Sequence, residues 1–184
     1  DAGRVLSALN RMAPGPISPA RLLKLAAGLG ADVPFMTVDF PFALGEGYGE
    51  RLTPLPVPEQ RPVALLIPHF SIDTAVAYEW LDELGAPPAD RPAWDTSRLA
   101  WADLEKLVEN DLQPVVARHH PEILEGISLL KNTGASMAGM TGSGSVVFGI
   151  FPADKQPGKI SIPAGWDLLW TRTAGSVVEP QLMG

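Results

Sequence analysis

The chain has 184 residues, 46% hydrophobic and 19% charged, with 14 Lys+Arg against 21 Asp+Glu for a net charge of −7. That composition belongs to a folded protein rather than a disordered one, and its acidic balance lacks the basic footprint of a nucleic-acid binder. There is no cysteine, which removes disulfides, thiolate catalysis and Cys-based zinc sites.

In chain order, residues 2–12 read as a helix, with Val5, Leu6, Leu9 and Met12 at helical spacing. "APGPIS" is a Pro/Gly turn, and Ser18 with Pro19 forms the start signal of a second helix carrying Leu22, Leu23, Leu25, Ala26 and Leu29. Gly28 and Gly30 are candidates to close it. Asp32 then lies in a loop before an expected strand at 35–38. "FALGEGYGERLTPL" reads as a hairpin around Gly45 to Gly49, and the Pro-rich "LPVPEQRP" as a connector and domain boundary. "VALLIP" at 63–68 is a short apolar run with a Pro stop, the pattern of a buried strand.

Helices are expected near 73–84, 101–112 and 121–131, with Pro114 breaking or kinking the second. "APPADRPAW" between the first two is read as a loop. Strand-like pieces close the chain at 135–137, 146–151 and 166–171. The interleaving predicts an α/β (α+β) fold. No apolar run reaches the ~18–20 residues of a membrane helix, and the start "DAGRVLSALN" has neither Met nor a signal-peptide pattern. A cytoplasmic protein with no membrane partner is therefore expected.

Asp32 is the lone charge in the run from 25 to 38. It is either a turn or capping residue or a general base that apolar neighbours shield from water. In "MTGSGSVVFG" Gly142 and Gly144 alternate with Thr141, Ser143 and Ser145 before an apolar strand. Such a loop cradles an anion with backbone N–H groups, or is simply a tight turn. Tyr78 either stacks on a planar ligand or packs on the next helix. Asn110 and Asp111 read as polar site residues or a solvated helix face, the blander reading being favoured. His69, His119 and His120 are too few and too poorly spaced for a metal site, so two exposed histidines at a helix end and one in a loop are expected.

Taken together, "LGADVPF", "ALGEGYGERLTPL", "PHFSIDTAVAY", "ENDL" and "MTGSGSVVFG" resemble the 4-diphosphocytidyl-2-C-methyl-D-erythritol kinase family of the GHMP small-molecule kinases. The resemblance covers residues 1 to about 151 and implies a two-lobed GHMP fold. Residues 1–60 would be the remainder of an ATP-side lobe, and 61–184 a substrate-side lobe with an antiparallel sheet backed by helices. It implies ATP-dependent phosphorylation, with magnesium, of the 2-hydroxyl of 4-diphosphocytidyl-2-C-methyl-D-erythritol in non-mevalonate isoprenoid biosynthesis. In this family Asp32 would be the base. Tyr78 would stack on the cytosine, Thr74 would contact the substrate beside it, and Ala75 stands where Pro is frequent. Thr141, Gly142, Ser143 and Gly144 would shape the phosphoryl-transfer site.

The family's ATP loop reads GGGSS, then Asn or Asp, then Ala, which makes Asp1 and Ala2 its last residues. The glycines, the adenine pocket and a catalytic lysine would lie upstream, in a segment of the same protein, and these 184 residues alone would be inactive. No magnesium ligand is assigned. "PADKQPGKISIPAG" stands where the family has a helix between two strands. Two rivals remain: a GHMP kinase for a homoserine- or mevalonate-type alcohol, and a non-catalytic fragment that retains cytidine-nucleotide affinity.

Overall fold

A computed structural model describes residues 2–85, 99–154 and 160–178. Asp1, the expected loop at "APPADRPAW", and 155–159 of the departing C-terminal segment lie wholly or almost wholly outside the described residues. The chain forms two compact units, Asp1–Val57 with Ala174–Gly184, and Pro58–Thr173.

The first unit opens with α1 (Ala2–Met12) and α2 (Pro19–Ala27). The turn between them is closed by the Asn10 side-chain amide, which donates to the Ile17 carbonyl and accepts from the Ile17 N–H. Ser18 caps α2 as its start signal predicts, accepting from the Arg21 N–H, and Gly28 ends it. The expected strand at 35–38 is instead a short helix, α3 (Val33–Thr37). Pro34 sits in its first turn, where a missing N–H costs nothing. The Thr37 hydroxyl donates back to the Val33 carbonyl at 2.7 Å.

Helix α3 packs against Gly3 of α1, where an added Cβ would stand 2.6 Å from the Met36 carbonyl carbon. Only glycine lets the two backbones approach so closely. Arg4 and Arg11 both bind Asp39 just beyond α3, at 3.0 and 2.8 Å. Val5, Leu9 and Met12 form an exposed apolar stripe along α1. The hairpin forms as expected, from β1 (Ala43–Glu46) and β2 (Arg51–Pro54).

The second unit is built on a four-stranded antiparallel sheet of β3 (Pro62–Pro68), β4 (Met137–Met140), β5 (Val147–Ile150) and β6 (Trp166–Arg172), in the order β4-β5-β3-β6. The "VALLIP" run is β3, paired on both edges, with Ala64 and Leu66 fully buried. The first of the three expected late strands begins two residues further on than predicted, at Met137. Helices α4 (Thr74–Glu83), α5 (Trp101–Leu104), α6 (Leu112–His119) and α7 (Glu122–Asn132) complete the unit.

The helix expected at 101–112 is thus two helices. Pro114 breaks neither, because it occupies the first turn of α6. Leu66, Val115, Val116, Ile123, Leu130, Val147 and Phe151 fill the core beneath the helices, each large side chain contributing roughly 1.5–3 kcal/mol by leaving water. Arg61 pins α5: its guanidinium bonds Glu105 at 2.9 Å and lies 4.7 Å over the Trp101 ring.

Two histidines do end α6 as expected, His119 exposed and His120 half-buried, but both are stacked on other rings. His119 stacks on Trp80 with ring centroids 3.9 Å apart, and His120 stacks on Phe70 at 4.8 Å. They close the seam between α4 and α6 as planar apolar surfaces. This seam carries the start of α4 toward the β4–β5 loop.

Candidate active site

In the first unit, Asp32 occupies the position preceding α3. Its backbone is already near-helical (φ −84°, ψ −14°), and its carbonyl accepts from the Met36 N–H at 3.2 Å. Its side chain makes no capping hydrogen bond, so the capping role open in the sequence is not the one it performs. The carboxylate is exposed. The apolar shield expected around it is turned elsewhere, since Pro34 and Thr37 are the buried residues of α3.

The hairpin turn lies against the backbone beside Asp32. Gly49, at φ +100°, approaches so closely that a Cβ there would stand 2.7 Å from the Ala31 carbonyl oxygen. That turn is tightened by Glu50, whose carboxylate accepts from the Tyr48 N–H at 2.7 Å. Backbone N–H groups, first its own and then that of Tyr48, hold the Glu50 carboxyl below its ordinary pKa, with Arg51 assisting.

In the second unit, Asp73 caps α4 by accepting from the Ala75 N–H at 2.8 Å. The next residue, Thr74, meets the β4–β5 loop: its hydroxyl oxygen lies 2.9 Å from that of Ser143. Tyr78 is one turn further along α4, and 53% of it is exposed. Packing on the next helix, the alternative reading of this tyrosine, leaves half of it unused.

The loop itself is shaped by Gly142 (φ +55°) and Gly144 (φ +91°). The Thr141 N–H donates to the Val146 carbonyl, and the Gly144 N–H to the Thr141 carbonyl. Among the described residues, the amides of Gly142 and Ser143 have no protein acceptor. Two adjacent unpaired N–H groups at a glycine turn are suited to an anion.

Three side chains tie the loop down. The buried Ser145 hydroxyl donates to the Phe70 carbonyl at 2.6 Å. The Asn110 amide donates to the carbonyls of Met140 and Gly142, at 2.9 and 2.8 Å, while its oxygen accepts from the Leu112 N–H at 3.0 Å. Gln113 accepts from the Met140 N–H at 2.9 Å. The solvated-face reading of Asn110 is therefore overturned. The available signal was an Asn two residues before a helix, where Asx turns are common.

Of the predicted site residues, the structure joins Thr74 to Ser143 directly, with Thr141, Gly142 and Gly144 in the same loop and Tyr78 on the same helix as Thr74. Asp32 lies in the other unit, and Asp1 lies outside the described residues. Among the described residues, no three His, Asp or Glu side chains gather as a metal site, and no helix is long and apolar enough to cross a membrane.

Residues 94–161 match the family model described as GHMP kinases C terminal. The chain is 34% identical over 180 residues to the 4-diphosphocytidyl-2-C-methyl-D-erythritol kinase of Rhizobium meliloti, covering 95% of this chain and 60% of that protein. It is 36% identical over 151 residues to the enzyme of the same name from Desulfotalea psychrophila, covering 82% of this chain and 50% of that protein. A crystal structure of 4-(cytidine 5'-diphospho)-2C-methyl-D-erythritol kinase superposes with a TM-score of 0.62 at 29% identity, over 80% of this chain and 53% of that one.

The chain is similar to GHMP kinases of one name over most of its length, and residues 94–161 match their C-terminal region. It spans about 60% of the length of the curated relatives it matches most fully. The mixed helix-and-sheet architecture is the GHMP kinase fold, as the resemblance implied. The matched C-terminal region contains α5, α6, α7, β4 and β5, and so includes both Asn110 and the Thr141–Gly144 loop.

Proposed function

We propose that the complete protein phosphorylates the 2-hydroxyl of 4-diphosphocytidyl-2-C-methyl-D-erythritol with ATP, in the cytoplasm and in service of isoprenoid biosynthesis. Its similarity to enzymes of that name over 95% of the chain supports the reading. The observation that carries it is the Thr74–Ser143 hydroxyl contact at 2.9 Å, which makes one continuous surface of the α4 start and the glycine loop. An acceptor lying along α4, with its base against the exposed Tyr78 ring, would run toward the unpaired amides of Gly142 and Ser143.

Asp32 is the base of this reaction. Its carboxylate takes the proton of the 2-hydroxyl as that oxygen bonds to the γ-phosphorus and the bond to ADP breaks. Phosphoryl transfer depends chiefly on alignment and charge stabilisation, so a single aimed carboxylate is sufficient covalent help. The Thr141–Gly144 loop contributes backbone donors to the transferring phosphoryl group or its neighbours. Among the described residues no carboxylate or histidine cluster forms a metal cage, and magnesium belongs to the substrate, arriving with the nucleotide.

Residues 1–60 form part of an ATP-side lobe in this proposal, and 61–184 the substrate-side lobe. The length that the relatives have beyond this match supplies the rest of the ATP site, Asp1 closing its phosphate loop. That length also covers the apolar stripe of Val5, Leu9 and Met12, and without it these 184 residues do not turn over.

The test is ADP release by the product of the complete reading frame with this acceptor alone. Acceptor-dependent release that falls by about 10²-fold or more in Asp32→Asn is expected. Release that is equal with homoserine or mevalonate, or unaffected by the substitution, would overturn the proposal.

A further inference from the structure

We propose that Asn110 is a positioning residue for phosphoryl transfer, a clamp that sets the shape of the Thr141–Gly144 loop. The inference rests on the kinase reading for its functional half and on geometry for the rest.

The Thr141–Gly144 loop has little of its own to hold it. Among the described residues two backbone bonds close it, Thr141 N–H to Val146 and Gly144 N–H to Thr141, and two of its residues are glycines at positive φ, with many conformations to lose. What restrains it comes from elsewhere in the chain. Asn110 commits both of its amide protons here, to the carbonyls of Met140 and Gly142, and its oxygen accepts from the first N–H of α6.

The two carbonyls it grips, Met140 and Gly142, bracket Thr141. Fixing both orients the Met140–Thr141 and Gly142–Ser143 peptide planes, which flank the Thr141–Gly142 peptide. The Gly142 carbonyl belongs to the same peptide plane as the Ser143 N–H, so the grip also aims one of the two unpaired amides. Gln113, in the first turn of α6, accepts from the Met140 N–H at the loop entrance. Ser143 is thereby presented to Thr74. A loop free to turn by one peptide would point a carbonyl, not an N–H, at an anion, converting a stabilising dipole into a repelling one.

The chemistry of the clamp makes it separable from a cap. Asn110→Asp keeps the shape and the oxygen that accepts from Leu112, but replaces the double donor with an oxygen facing two carbonyls. Asn110→Ser keeps a short acceptor for the helix and reaches neither carbonyl.

The experiment compares both variants with the wild-type full-length protein by amide hydrogen exchange and by steady-state ADP release with 4-diphosphocytidyl-methylerythritol. In both variants the amides of Thr141 and Gly144 are expected to exchange at least about tenfold faster while those of β3 and β5 are unchanged. For phosphoryl transfer, kcat falls about 10- to 100-fold while KM for the acceptor moves less than about threefold. A cap alone would leave Asn110→Asp like wild type in both readouts, and that result overturns the proposal. So does a faster-exchanging loop with unchanged kcat, or loss of the whole fold in both variants, which would make Asn110 structural. If wild type transfers no phosphoryl group, the kinase reading has failed and the exchange measurement alone decides the clamp.

Discussion

Replacing Gly49 by alanine tests whether the hairpin turn sets the position of Asp32. The new Cβ would stand 2.7 Å from the Ala31 carbonyl oxygen, about 0.7 Å inside the 3.4 Å at which ordinary contact begins. The residue also sits at φ +100°, where an L side chain adds roughly 1–2 kcal/mol of strain. Overpacking against backbone adds a further ~1–3 kcal/mol, because a carbonyl cannot rotate away as a side chain would.

The overlap relaxes only if the hairpin lifts or the Ala31 backbone retreats. Since Ala31 is bonded to Asp32, the second route moves the carboxylate by a comparable distance. Misplacing a reacting group by ~1 Å costs on the order of 10²-fold, so a loss of at least about tenfold in kcat is expected along with reduced stability. Gly45→Ala in the same hairpin is the control. Its Cβ would meet Gly49 Cα at 3.6 Å and Leu52 Cδ2 at 3.8 Å, both ordinary contacts, so a change within ~0.5 kcal/mol is expected. Urea denaturation and acceptor-dependent ADP release of the complete protein supply the two readouts. If Gly49→Ala matches Gly45→Ala in both, the hairpin does not position Asp32 and the argument is wrong.

Tyr78→Ala should weaken binding of cytidine diphosphate by roughly tenfold or more, whereas Tyr78→Phe retains it, since stacking on a base is worth ~1–3 kcal/mol. Titration calorimetry measures this, and because half of Tyr78 is exposed, the melting temperature of either variant should hardly move. Glu50 should titrate below its ordinary value of 4.5, read from its carboxyl carbon by NMR. With a depressed folded pKa, its stabilisation is present above the unfolded value and disappears as pH falls through the folded one. Glu50→Gln should therefore flatten that acid limb, with the variant slightly less stable than wild type at neutral pH and the two converging in acid.

Sequence carried the elements whose signals are local. Ser18 with Pro19 announces α2, the "VALLIP" run announces the central strand, and the glycine turn announces the hairpin, because each depends on a few adjacent residues. It failed where tertiary packing decides. "VPFMT" is too short for periodicity to separate strand from helix, and what selects the helix is Gly3, about thirty residues earlier, opening a place for it. Pro114 misled because its effect depends on where a helix begins, and Asn110 helps to fix that start. His119 and His120 find rings that come from α4 and from the loop between β3 and α4, some forty to fifty residues earlier.

The candidate site was legible as a set of motifs but not as an arrangement, and the contacts explain why these motifs travel together. "LGADVPF" and "GEGYGE" are separate in the chain, yet the glycine of one turn rests on the carbonyl that precedes Asp32 in the other. "ENDL" and "TGSG" lie about thirty residues apart, yet one asparagine amide holds two carbonyls at the loop. "PHFSIDT" supplies both the carbonyl that receives Ser145 and the hydroxyl that meets Ser143. In the first two pairs one motif carries the residue or loop proposed to act, and the other carries a glycine or an amide that packs against it or holds it. A side chain that acts can be guessed from its type. One that positions is an ordinary Asn or Gly until the fold shows which backbone atom it faces, and those positions are where substitutions should change rate more than affinity.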